Sequence, residues 1–209
     1  MRIAIIGGGA AGFFAAISCK EHNPNAQVTI FEKTNKLLAK VKVSGGGRCN
    51  VTNSCFSISD LSRHYPRGEK FLKKAFSQFY TKHTVEWFES KGVELKREPD
   101  NRMFPTTDDS QTIMDCLLNE SRRLGVDIQK QSSVNKIEKV QSEFRLEVND
   151  EQLSFDKVIV TSGGSPKAES YEWLRQLGHQ IESPVPSLFT FNMPNESIKA
   201  LMGVVAENA

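Results

Sequence analysis

The first part of the chain alternates apolar strand-like runs with a helical pattern. Residues 3–6 form a short apolar run that is rich in β-branched side chains and too brief for a helix, which predicts a strand. Residues 10–21 have the spacing of a helix with an apolar face, and the Asn-Pro-Asn sequence at 23–25 ends it. Residues 28–31 are again apolar and β-branched. The pattern therefore predicts a strand–helix–strand unit at the start of the chain.

Helical spacing continues in the middle of the chain. We expect one helix over residues 69–79 and a second that Thr81 caps and Gly92 ends. A third helix is expected over residues 110–124, because apolar side chains recur there at helical spacing and Gly125 follows. These helices separate the first two strands from those that follow.

Further along the chain the pattern changes to the two-residue alternation of strands. After a short strand at 126–128, residues 133–140, 143–149 and 152–156 alternate apolar and polar positions, as hairpin-linked strands do. Residues 158–160 are continuously apolar, as in a buried parallel strand. The expected fold class is α/β: a Rossmann-like domain with a parallel sheet, inserted helices and a β-meander.

Glycines follow the first predicted strand at the spacing Gly7-x-Gly9-x-x-Gly12. In a dinucleotide-binding unit the first glycine makes the tight turn, the second admits the pyrophosphate to the backbone, and the third lets helix and strand pack closely. The helix that follows offers unpaired N–H groups and a partial positive charge to the phosphates. The strand before the motif and the helix after it favour a nucleotide-binding loop over a plain structural turn.

Two further features are typical of such a unit. Glu32 follows the second predicted strand, where a carboxylate accepts hydrogen bonds from both hydroxyl groups of an adenosine ribose and repels a 2′-phosphate. It therefore favours FAD or NAD over NADP, and a solvated acid at a strand end is the alternative. Gly163 and Gly164 end the strand at 158–160, where the backbone has to approach the dinucleotide.

A second glycine-rich loop contains three consecutive glycines at residues 45–47. Each loses much backbone entropy on folding, which makes three of them a costly choice for a connector. They suit a backbone that passes tightly against a ligand, with N–H groups directed at an anion or an electron-rich ring. Arg48 adds a cation and Asn50 an amide, and a flexible surface loop is the alternative. The preceding residues 33–42 are basic and are interpreted as flexible.

Composition limits the remaining possibilities. The 209 residues are 38% hydrophobic and 25% charged, as in ordinary globular proteins, and no apolar run approaches the roughly 20 residues that span a bilayer. We therefore expect a cytoplasmic protein without a membrane partner. The net charge of +2 is too small to indicate a nucleic-acid partner, so Lys70, Lys73 and Lys74 are interpreted as a solvated helix face rather than an RNA-binding patch.

Cysteine and histidine give no sign of a metal site. The four cysteines, at positions 19, 49, 55 and 116, include no C-x-x-C pair, and the four histidines are scattered. We expect reduced and mostly buried thiols, with a redox pair of Cys49 and Cys55 as the less favoured alternative.

The glycine motifs together resemble a bacterial flavoprotein family. Gly-Gly-Gly-Ala-Ala-Gly at 7–12, Glu32-Lys33, and Lys-Val-Ser-Gly-Gly-Gly-Arg-Cys-Asn-Val-Thr-Asn at 42–53 are similar to segments of the HI0933-like or YhiN-like flavoproteins, the BaiN-type NAD(P)/FAD-dependent oxidoreductases. The resemblance covers the N-terminal half of a typical member, and the second loop is its more specific part. It implies that this loop lies against the flavin end of FAD.

The same resemblance implies further cofactor contacts. The β-meander is similar to that of FAD domains of the glutathione-reductase type, in which the backbone of Val134 would contact the adenine edge. Residues 102–105 resemble a family segment near the cofactor, with Arg102 as a candidate anion contact and the next two side chains as walls of an apolar pocket; an ordinary loop anchor is the alternative. The chain departs from the family at 161–162 and at 165–171, where a glycine-rich helix start is usual. The implied cofactor-binding residues are Gly7, Gly9, Ala10, Ala11, Gly12, Glu32, Lys33, Gly45, Gly46, Gly47, Arg48, Asn50, Val134, Gly163 and Gly164.

The resemblance also sets the expected domain organisation. Residues 1–190 correspond to the FAD/NAD(P)-binding domain and residues 191–209 to the start of an inserted domain, with residues 184–191 as the crossover. Family members return to the first domain later in their chains. We therefore expect a fold that is incomplete at the C-terminus, weak retention of FAD, and a dimer through the surface left open.

The implied function is that of an FAD-dependent oxidoreductase, which passes hydride from NAD(P)H through the flavin to an organic small-molecule acceptor. The BaiN resemblance suggests an enone in a steroid-like molecule. The sequence identifies no catalytic acid or base, although Arg48 and Asn50 are the best candidates near the ring. An NAD-dependent dehydrogenase and a non-catalytic nucleotide-binding module are the alternatives, and an RNA-modifying flavoprotein is supported by fold analogy alone.

Overall fold

The computed structural model describes residues 1–165, 167–185 and 194–201, and the chain divides into two units, residues 1–163 and 164–209. The helices of the first unit are α1 (Ala10–His22), α2 (Ala39–Val43), α3 (Ile58–Arg63), α4 (Glu69–Phe76), α5 (Thr81–Ser90) and α6 (Ser110–Arg123). Its strands are β1 (Arg2–Ile6), β2 (Gln27–Glu32), β3 (Thr52–Asn53), β4 (Leu95–Arg97), β5 (Arg102–Pro105), β6 (Asp127–Lys130), β7 (Val134–Val140), β8 (Glu143–Val148), β9 (Glu151–Phe155) and β10 (Lys157–Val160). None of the described helices has both the length and the apolar character that crossing a bilayer requires.

The second unit contains α7 (Glu172–Gln176) and two short 3₁₀ turns, Ala168–Tyr171 and Ser197–Leu201. The expected domain boundary between residues 190 and 191 lies outside the described residues, as does the expected crossover beyond residue 185.

The central sheet consists of four parallel strands in the order β10-β1-β2-β6. When only the strands of this sheet are numbered in chain order, the sheet reads 3-2-1-4 from the β6 edge. This order matches the first four strands of the Rossmann order 3-2-1-4-5-6. β1 has neighbours on both sides, and its residues Ile3, Ala4 and Ile5 are almost completely buried. The predicted strand–helix–strand unit and the predicted fold class are confirmed.

β10 has the predicted parallel pairing but not the predicted burial. Its register with β1 places Ile6 opposite Val160. Among the described strands it has a neighbour on one side only, so Val158 and Ile159 are half-buried and Val160 is 37% exposed. The apolar run thus correctly indicates a parallel strand, and the expectation of a fully buried one is wrong because the strand lies at a sheet edge.

Two helices build most of the core beside the sheet. α1 packs against β1 and β2, and α6 packs against α1 and α2. Phe13 and Ile17 of α1 meet Ile113 and Leu117 of α6 in the main apolar cluster, and each is at most 2% exposed. The helical spacing of the sequence therefore predicted both the helices and their inward faces.

Two small antiparallel sheets complete the first unit, with strand orders β3-β5-β4 and β7-β8-β9. The second of these is the predicted β-meander, and its buried side chains are Ile137, Leu146, Val148 and Phe155. Phe155 of β9 makes an edge contact with Phe31 of β2, with ring centroids 5.7 Å apart. This contact joins the meander to the central sheet.

The start of α5 differs from the expectation that Thr81 caps it. The Tyr80 N–H donates to His83 Nδ1 at 3.3 Å, so Tyr80 occupies the cap position. The Thr81 hydroxyl instead donates to the Cys55 carbonyl at 2.6 Å. The long-range acceptor is invisible to local spacing, which is why the sequence placed the cap one residue late.

The basic segment at 33–42 is also more ordered than the sequence suggested. It contains the start of α2, and Leu38 is only 1% exposed. The Leu38 N–H donates to the Gly8 carbonyl at 2.9 Å. The segment is therefore attached to the first glycine loop, and its interpretation as flexible is wrong.

All four cysteines are free thiols, with Cys49 and Cys116 buried. Burial raises the pKa of the Cys116 thiol to about 11, and burial likewise raises the pKa of Cys49 above its ordinary value. Both thiols therefore stay protonated at neutral pH. Over the part of the chain that the structure describes, no group of three or more His, Cys, Asp or Glu side chains is placed to hold a metal ion.

Ser121 of α6 provides a test of the core. It is fully buried, and its hydroxyl has no hydrogen-bond partner among the described residues. Because a buried unsatisfied hydroxyl costs free energy and alanine favours helix, we expect Ser121→Ala to raise the free energy of unfolding by about 1 kcal/mol in urea denaturation. Ser110→Ala is the matched control: the buried Ser110 hydroxyl donates to the Lys42 carbonyl at 2.9 Å, so its loss should destabilise. Equal effects of the two substitutions would contradict this assignment.

Candidate functional site

The first glycine loop is packed too tightly for side chains at two of its positions. A Cβ on Gly7, which has φ +115°, would lie 2.5 Å from the Thr161 carbonyl oxygen. A Cβ on Gly12 would lie 2.0 Å from the Gly7 carbonyl oxygen. The Thr161 hydroxyl donates to the carbonyls of Ile6 and Gly7 at 3.0 and 3.1 Å. The loop after β1 and the end of β10 therefore form one close-packed unit.

Gly9 differs from these two glycines because the space beside it is open. No atom lies within 4 Å of the position that its Cβ would occupy. Gly9 precedes α1, no side chain caps that helix, and its first turn has no acidic residue. Ala10 and Ala11 follow and are exposed. An uncapped helix N-terminus beside open space has the features that bind an anion such as a phosphate.

Glu32 is bonded directly to this loop. One carboxylate oxygen accepts the Gly8 N–H at 2.9 Å, and the other accepts the Thr34 N–H and hydroxyl, both at 2.9 Å. Burial raises the pKa of Glu32, but the hydrogen bonds from Thr34 and Gly8 and the charge of Lys33 outweigh it, so the pKa is lowered overall. Because an ionised carboxylate has about four lone-pair sites and these contacts use three, one acceptor site is left for a ribose hydroxyl.

The turn before β7 lies beside the end of β2. The Ser132 N–H donates to the Glu32 carbonyl and the Gln131 N–H to the Thr34 carbonyl, both at 2.9 Å. Val134 begins β7 two residues later and is half-buried. Lys33 follows Glu32 and is exposed. The structure thus brings the expected adenosine-side residues to one edge of the sheet.

The three consecutive glycines lie in a tight turn, Ser44–Gly47, after α2, and this turn does not have the backbone angles of a right-handed helix. All three have positive φ, of 56°, 68° and 88°, a region that L side chains rarely adopt. A Cβ on Gly45 would in addition lie 2.7 Å from both the Asn50 nitrogen and the Phe104 ring, whereas Gly46 and Gly47 face open space. Glycine is therefore required here by backbone shape, and two of the three expose backbone to an approaching group.

Arg48, the cation that the sequence placed beside the three glycines, is engaged by acidic side chains. Its guanidinium pairs with Glu98 and Asp108 and lies over the Phe104 ring, 4.1 Å from the centroid. The hydrogen bond to Glu98 raises the pKa of Arg48, desolvation opposes this, and the charges of Glu98 and Asp108 add to the increase. Two carboxylates thus neutralise the guanidinium, and Arg48 holds the glycine loop to β5.

Residues 102–105 pack against the second glycine-rich loop. Arg102 pairs with Asp100 at 2.6 Å and approaches Glu98 at 3.6 Å, so it is engaged by acids as Arg48 is. Met103 and Phe104 are buried, Phe104 completely, beneath the loop. Of the two interpretations that the sequence allowed, the loop anchor matches these contacts.

An apolar pocket of about 430 Å³ opens between α1, α2, α5 and α6. It brings together the start of α1 and the second glycine-rich loop, which are about 35 residues apart in the chain. Apolar side chains form most of its wall, and no Asp, Glu or His is among its described lining residues. That lining consists of Ala10, Ala11, Phe14, Lys40, Val41, Ser44, Cys49, Asn50, Val51, Phe79, Thr84, Phe88, Ile113 and Leu117.

Lys40 is a site residue that the sequence did not single out. It is exposed, borders the pocket, and its ammonium nitrogen lies 3.7 Å from the position of a Cβ built on Gly163. The basic composition of residues 33–42 was its only local signal, because the contact with Gly163 spans more than a hundred residues. Gly163 has φ +76° and ends the first unit, whereas Gly164 belongs to the second.

The strand order, the close-packed glycine loop and the acid bonded to it define the Rossmann class of α/β domains. The chain belongs to the family of the HI0933-like protein Rossmann domain, whose model matches residues 1–205. The resemblance carried by the two glycine motifs is thereby confirmed.

Two curated relatives align with nearly all of this chain. It is 29% identical over 209 residues to a 3-dehydro-bile acid delta(4,6)-reductase of Clostridium scindens, covering 97% of this chain and 50% of the relative. It is 27% identical over 213 residues to a ribosomal RNA dihydrouridine synthase of Haemophilus influenzae, covering 96% of this chain and 51% of the relative. The chain thus spans about half the length of the curated relatives it matches.

Solved structures share the fold at low sequence identity. THI4 of Thermovibrio ammonificans superposes with a TM-score of 0.54 at 12% identity, over 86% of this chain and 63% of that one. BexE superposes with a TM-score of 0.51 at 12% identity, over 83% of this chain and 33% of that one. At such identities the likeness establishes the architecture alone.

Proposed function

We propose that the protein is the FAD-binding part of an oxidoreductase that saturates a carbon–carbon double bond conjugated to a carbonyl group. The observation that carries the proposal is the 2.9 Å hydrogen bond from the Gly8 N–H to Glu32. It fixes an ionised acid, suited to an unphosphorylated ribose, against the glycine loop that suits a pyrophosphate.

The residues around the first loop fit the adenosine and pyrophosphate of a dinucleotide. The open space at Gly9 and the uncapped start of α1 offer backbone N–H groups to phosphate oxygens. Lys40 adds an exposed cation close to Gly163, at the carboxyl end of β10. Ligands of parallel α/β sheets bind at this end of the strands, so charge and topology favour the same position.

The pocket favours FAD over NAD. It begins at Ala10 and Ala11, beside the position that suits the pyrophosphate, and Ser44 and Asn50 of the second loop border it. Its volume of about 430 Å³ is in the range of pockets that hold aromatic ligands. FAD supplies hydride transfer when bound. The described residues would position its ring with apolar walls such as Phe14 and Phe88 and would keep water away from it.

The neutral polar groups of the pocket are suited to binding rather than to proton transfer. Cys49 is buried and its pKa is raised, so it stays a neutral thiol. Ser44, Asn50 and Thr84 are neutral hydrogen-bonding groups. Arg48, one of the two residues that the sequence favoured near the ring, is committed to Glu98 and Asp108. We therefore assign Asn50 an orienting role and assign the acid–base step to none of these side chains.

The relatives indicate the class of acceptor. A 3-dehydro-bile acid delta(4,6)-reductase and a ribosomal RNA dihydrouridine synthase both saturate a double bond conjugated to a carbonyl group, in a steroid or in a uracil ring. One chemistry therefore accounts for both: hydride adds to the carbon remote from the carbonyl and a proton to its neighbour. We propose the same chemistry for the protein to which this chain belongs, with NAD(P)H as the electron donor.

The test is anaerobic reduction of the chain reconstituted with FAD. NADH and NADPH are added separately, and loss of the visible flavin band is followed by stopped flow. A 3-oxo-4-ene steroid or a uridine-containing RNA is then added, and return of the band is recorded together with the saturated product by mass spectrometry. Bleaching followed by acceptor-dependent recovery supports the proposal. Reduction of an acceptor by NADH with no flavin bound would contradict the proposal and would indicate an NAD-dependent dehydrogenase instead.

A further inference from the structure

The positive charge of the chain is concentrated in one short surface segment. Residues 63–82 contain six Lys or Arg residues and one Glu, a net charge of +5, although the whole chain carries only +2. The rest of the chain is therefore slightly acidic. The segment comprises the end of α3, all of α4 and the start of α5. The small net charge of the whole chain therefore does not reflect the strongly basic character of residues 63–82.

Three of these cations have no ion-pair partner among the described residues: Arg67, Lys70 and Lys74. All three are exposed. By contrast, Lys73 pairs with Glu69 at 2.9 Å and Lys82 approaches Glu86 at 3.6 Å. The uncompensated charges lie on α4 and in the turn that precedes it. They are available to an anionic partner.

Exposed aromatic side chains alternate along the chain with the basic residues of this segment. The Phe71 side chain, on α4, is 80% exposed, and Tyr65 and Phe79 are 43% and 40% exposed. Tyr65 rests on Phe76, with ring centroids 5.5 Å apart, so it is held in place while one face stays accessible. α4 itself has no buried residue. Cations interleaved with accessible rings match the phosphates and bases of a single-stranded nucleic acid.

This surface is continuous with the pocket. Phe79 follows α4, lines the pocket, and packs on Phe14 with ring centroids 5.2 Å apart. A strand of nucleotides along α4 would therefore run towards the pocket mouth. A base that leaves the stack could then enter the pocket, as in enzymes that act on an extruded base.

We propose that residues 65–79 form a docking surface for single-stranded RNA, with Arg67, Lys70 and Lys74 on phosphates and Phe71 stacked on a base. The role of that RNA as the carrier of the reducible ring rests on the proposed function, whereas the binding does not. The proposal departs from the expectation of no nucleic-acid partner, which followed from net charge alone. The continuity of this surface with the pocket through Phe79 favours RNA over an anionic membrane surface, because a bilayer presents no ring that could enter the pocket.

The experiment measures fluorescence anisotropy of a labelled single-stranded RNA 20-mer with the 209-residue chain, over a series of salt concentrations. The combined variant R67Q/K70Q/K74Q is expected to bind at least tenfold more weakly and to lower the slope of log affinity against log salt by about 2, at roughly 0.7 per phosphate contact. Phe71→Ala should weaken binding about fivefold or more at every salt concentration, since stacking is not screened.

The matched control is R122Q/K139Q/K157Q, which removes the same charge from three exposed positions outside the surface. It should bind like the unmodified chain, and thermal melts should show that every variant is folded. Equal losses in the two triple variants, or no RNA binding by the unmodified chain, would overturn the proposal. So would binding to phosphatidylserine vesicles, lost in R67Q/K70Q/K74Q, in place of RNA binding. FAD titration of the same samples tests the proposed function separately. A chain that binds FAD but not RNA contradicts only the docking surface, whereas a chain that binds RNA but not FAD contradicts only the proposed function.

Discussion

The substitution Gly12→Ala is expected to destabilise the first glycine loop and to lower the affinity of the chain for FAD. The new methyl group would lie 2.0 Å from the Gly7 carbonyl oxygen and 3.0 Å from the Thr161 hydroxyl, so α1 has to move away from β1. Overpacking of this kind costs about 1–3 kcal/mol, and the upper end applies because the obstacle is backbone. Displacing α1 also displaces the N–H groups that suit the pyrophosphate. We expect FAD affinity to fall on the order of a hundredfold, equivalent to about 3 kcal/mol.

Gly9→Ala is the informative partner of this substitution. Its methyl group meets no atom within 4 Å, and Gly9 has an extended backbone with φ −91°, which alanine adopts without strain. The variant should be as stable as the unmodified chain or slightly more so, because alanine lowers the entropy of the unfolded state. FAD affinity should nonetheless fall about tenfold, since the methyl group occupies the approach to the backbone. Thermal melts and FAD titrations of both variants make the comparison. A Gly9→Ala chain that binds FAD normally would show that the cofactor does not lie against this loop.

The second large effect is expected for Glu32→Gln. The substitution replaces an ionised acceptor of the Gly8 and Thr34 hydrogen bonds with a neutral amide, one end of which is a donor. It also removes charge-assisted acceptance of a ribose hydroxyl. Hydrogen bonds to charged groups contribute about 1.5–3 kcal/mol, so we expect FAD affinity to fall about tenfold or more. Glu89→Gln, at an exposed position of α5, is the control and should leave affinity unchanged.

The same variant has an expected pH signature. Because the folded-state pKa of Glu32 is lowered, its ionisation contributes stability that is present above the unfolded-state pKa and is lost as the pH falls through the folded-state pKa. The difference in stability between the unmodified chain and Glu32→Gln should therefore be largest near neutral pH and shrink on acidification. Urea denaturation at several pH values measures it. A difference that grows in acid would contradict the hydrogen-bonding scheme around Glu32.

The parts of the fold that the sequence predicted well are those set by local constraints. Gly7 and Gly12 had to be glycine because backbone atoms lie within 2.5 Å of any Cβ there, and such a requirement leaves a visible motif. The α1 and α6 helices and the β-meander also follow from periodicity, because each has one buried face. Glu32 could be placed because it directly follows a strand whose position the alternation indicated.

The parts that it did not predict depend on contacts between distant residues. Arg48 meets Glu98 and Asp108, 50 and 60 positions away, so its pairing with these carboxylates has no local signal in the sequence. Lys40 becomes a site residue only because folding brings it to Gly163. The pocket is assembled from four helices, and none of their separate patterns contains its shape. The exposed rings beside α4 are likewise apolar positions that periodicity alone would assign to the core.

The central claim, that these residues form an FAD site, is tested most directly by equilibrium titration of the purified chain with FAD and with NAD, followed by the visible flavin spectrum, flavin fluorescence and calorimetry. We expect about one FAD to bind per chain with a shifted flavin spectrum, NAD to compete weakly or not at all, and Gly12→Ala to weaken FAD binding on the order of a hundredfold. Saturable binding of NAD by a chain that leaves the flavin spectrum unchanged would contradict the account.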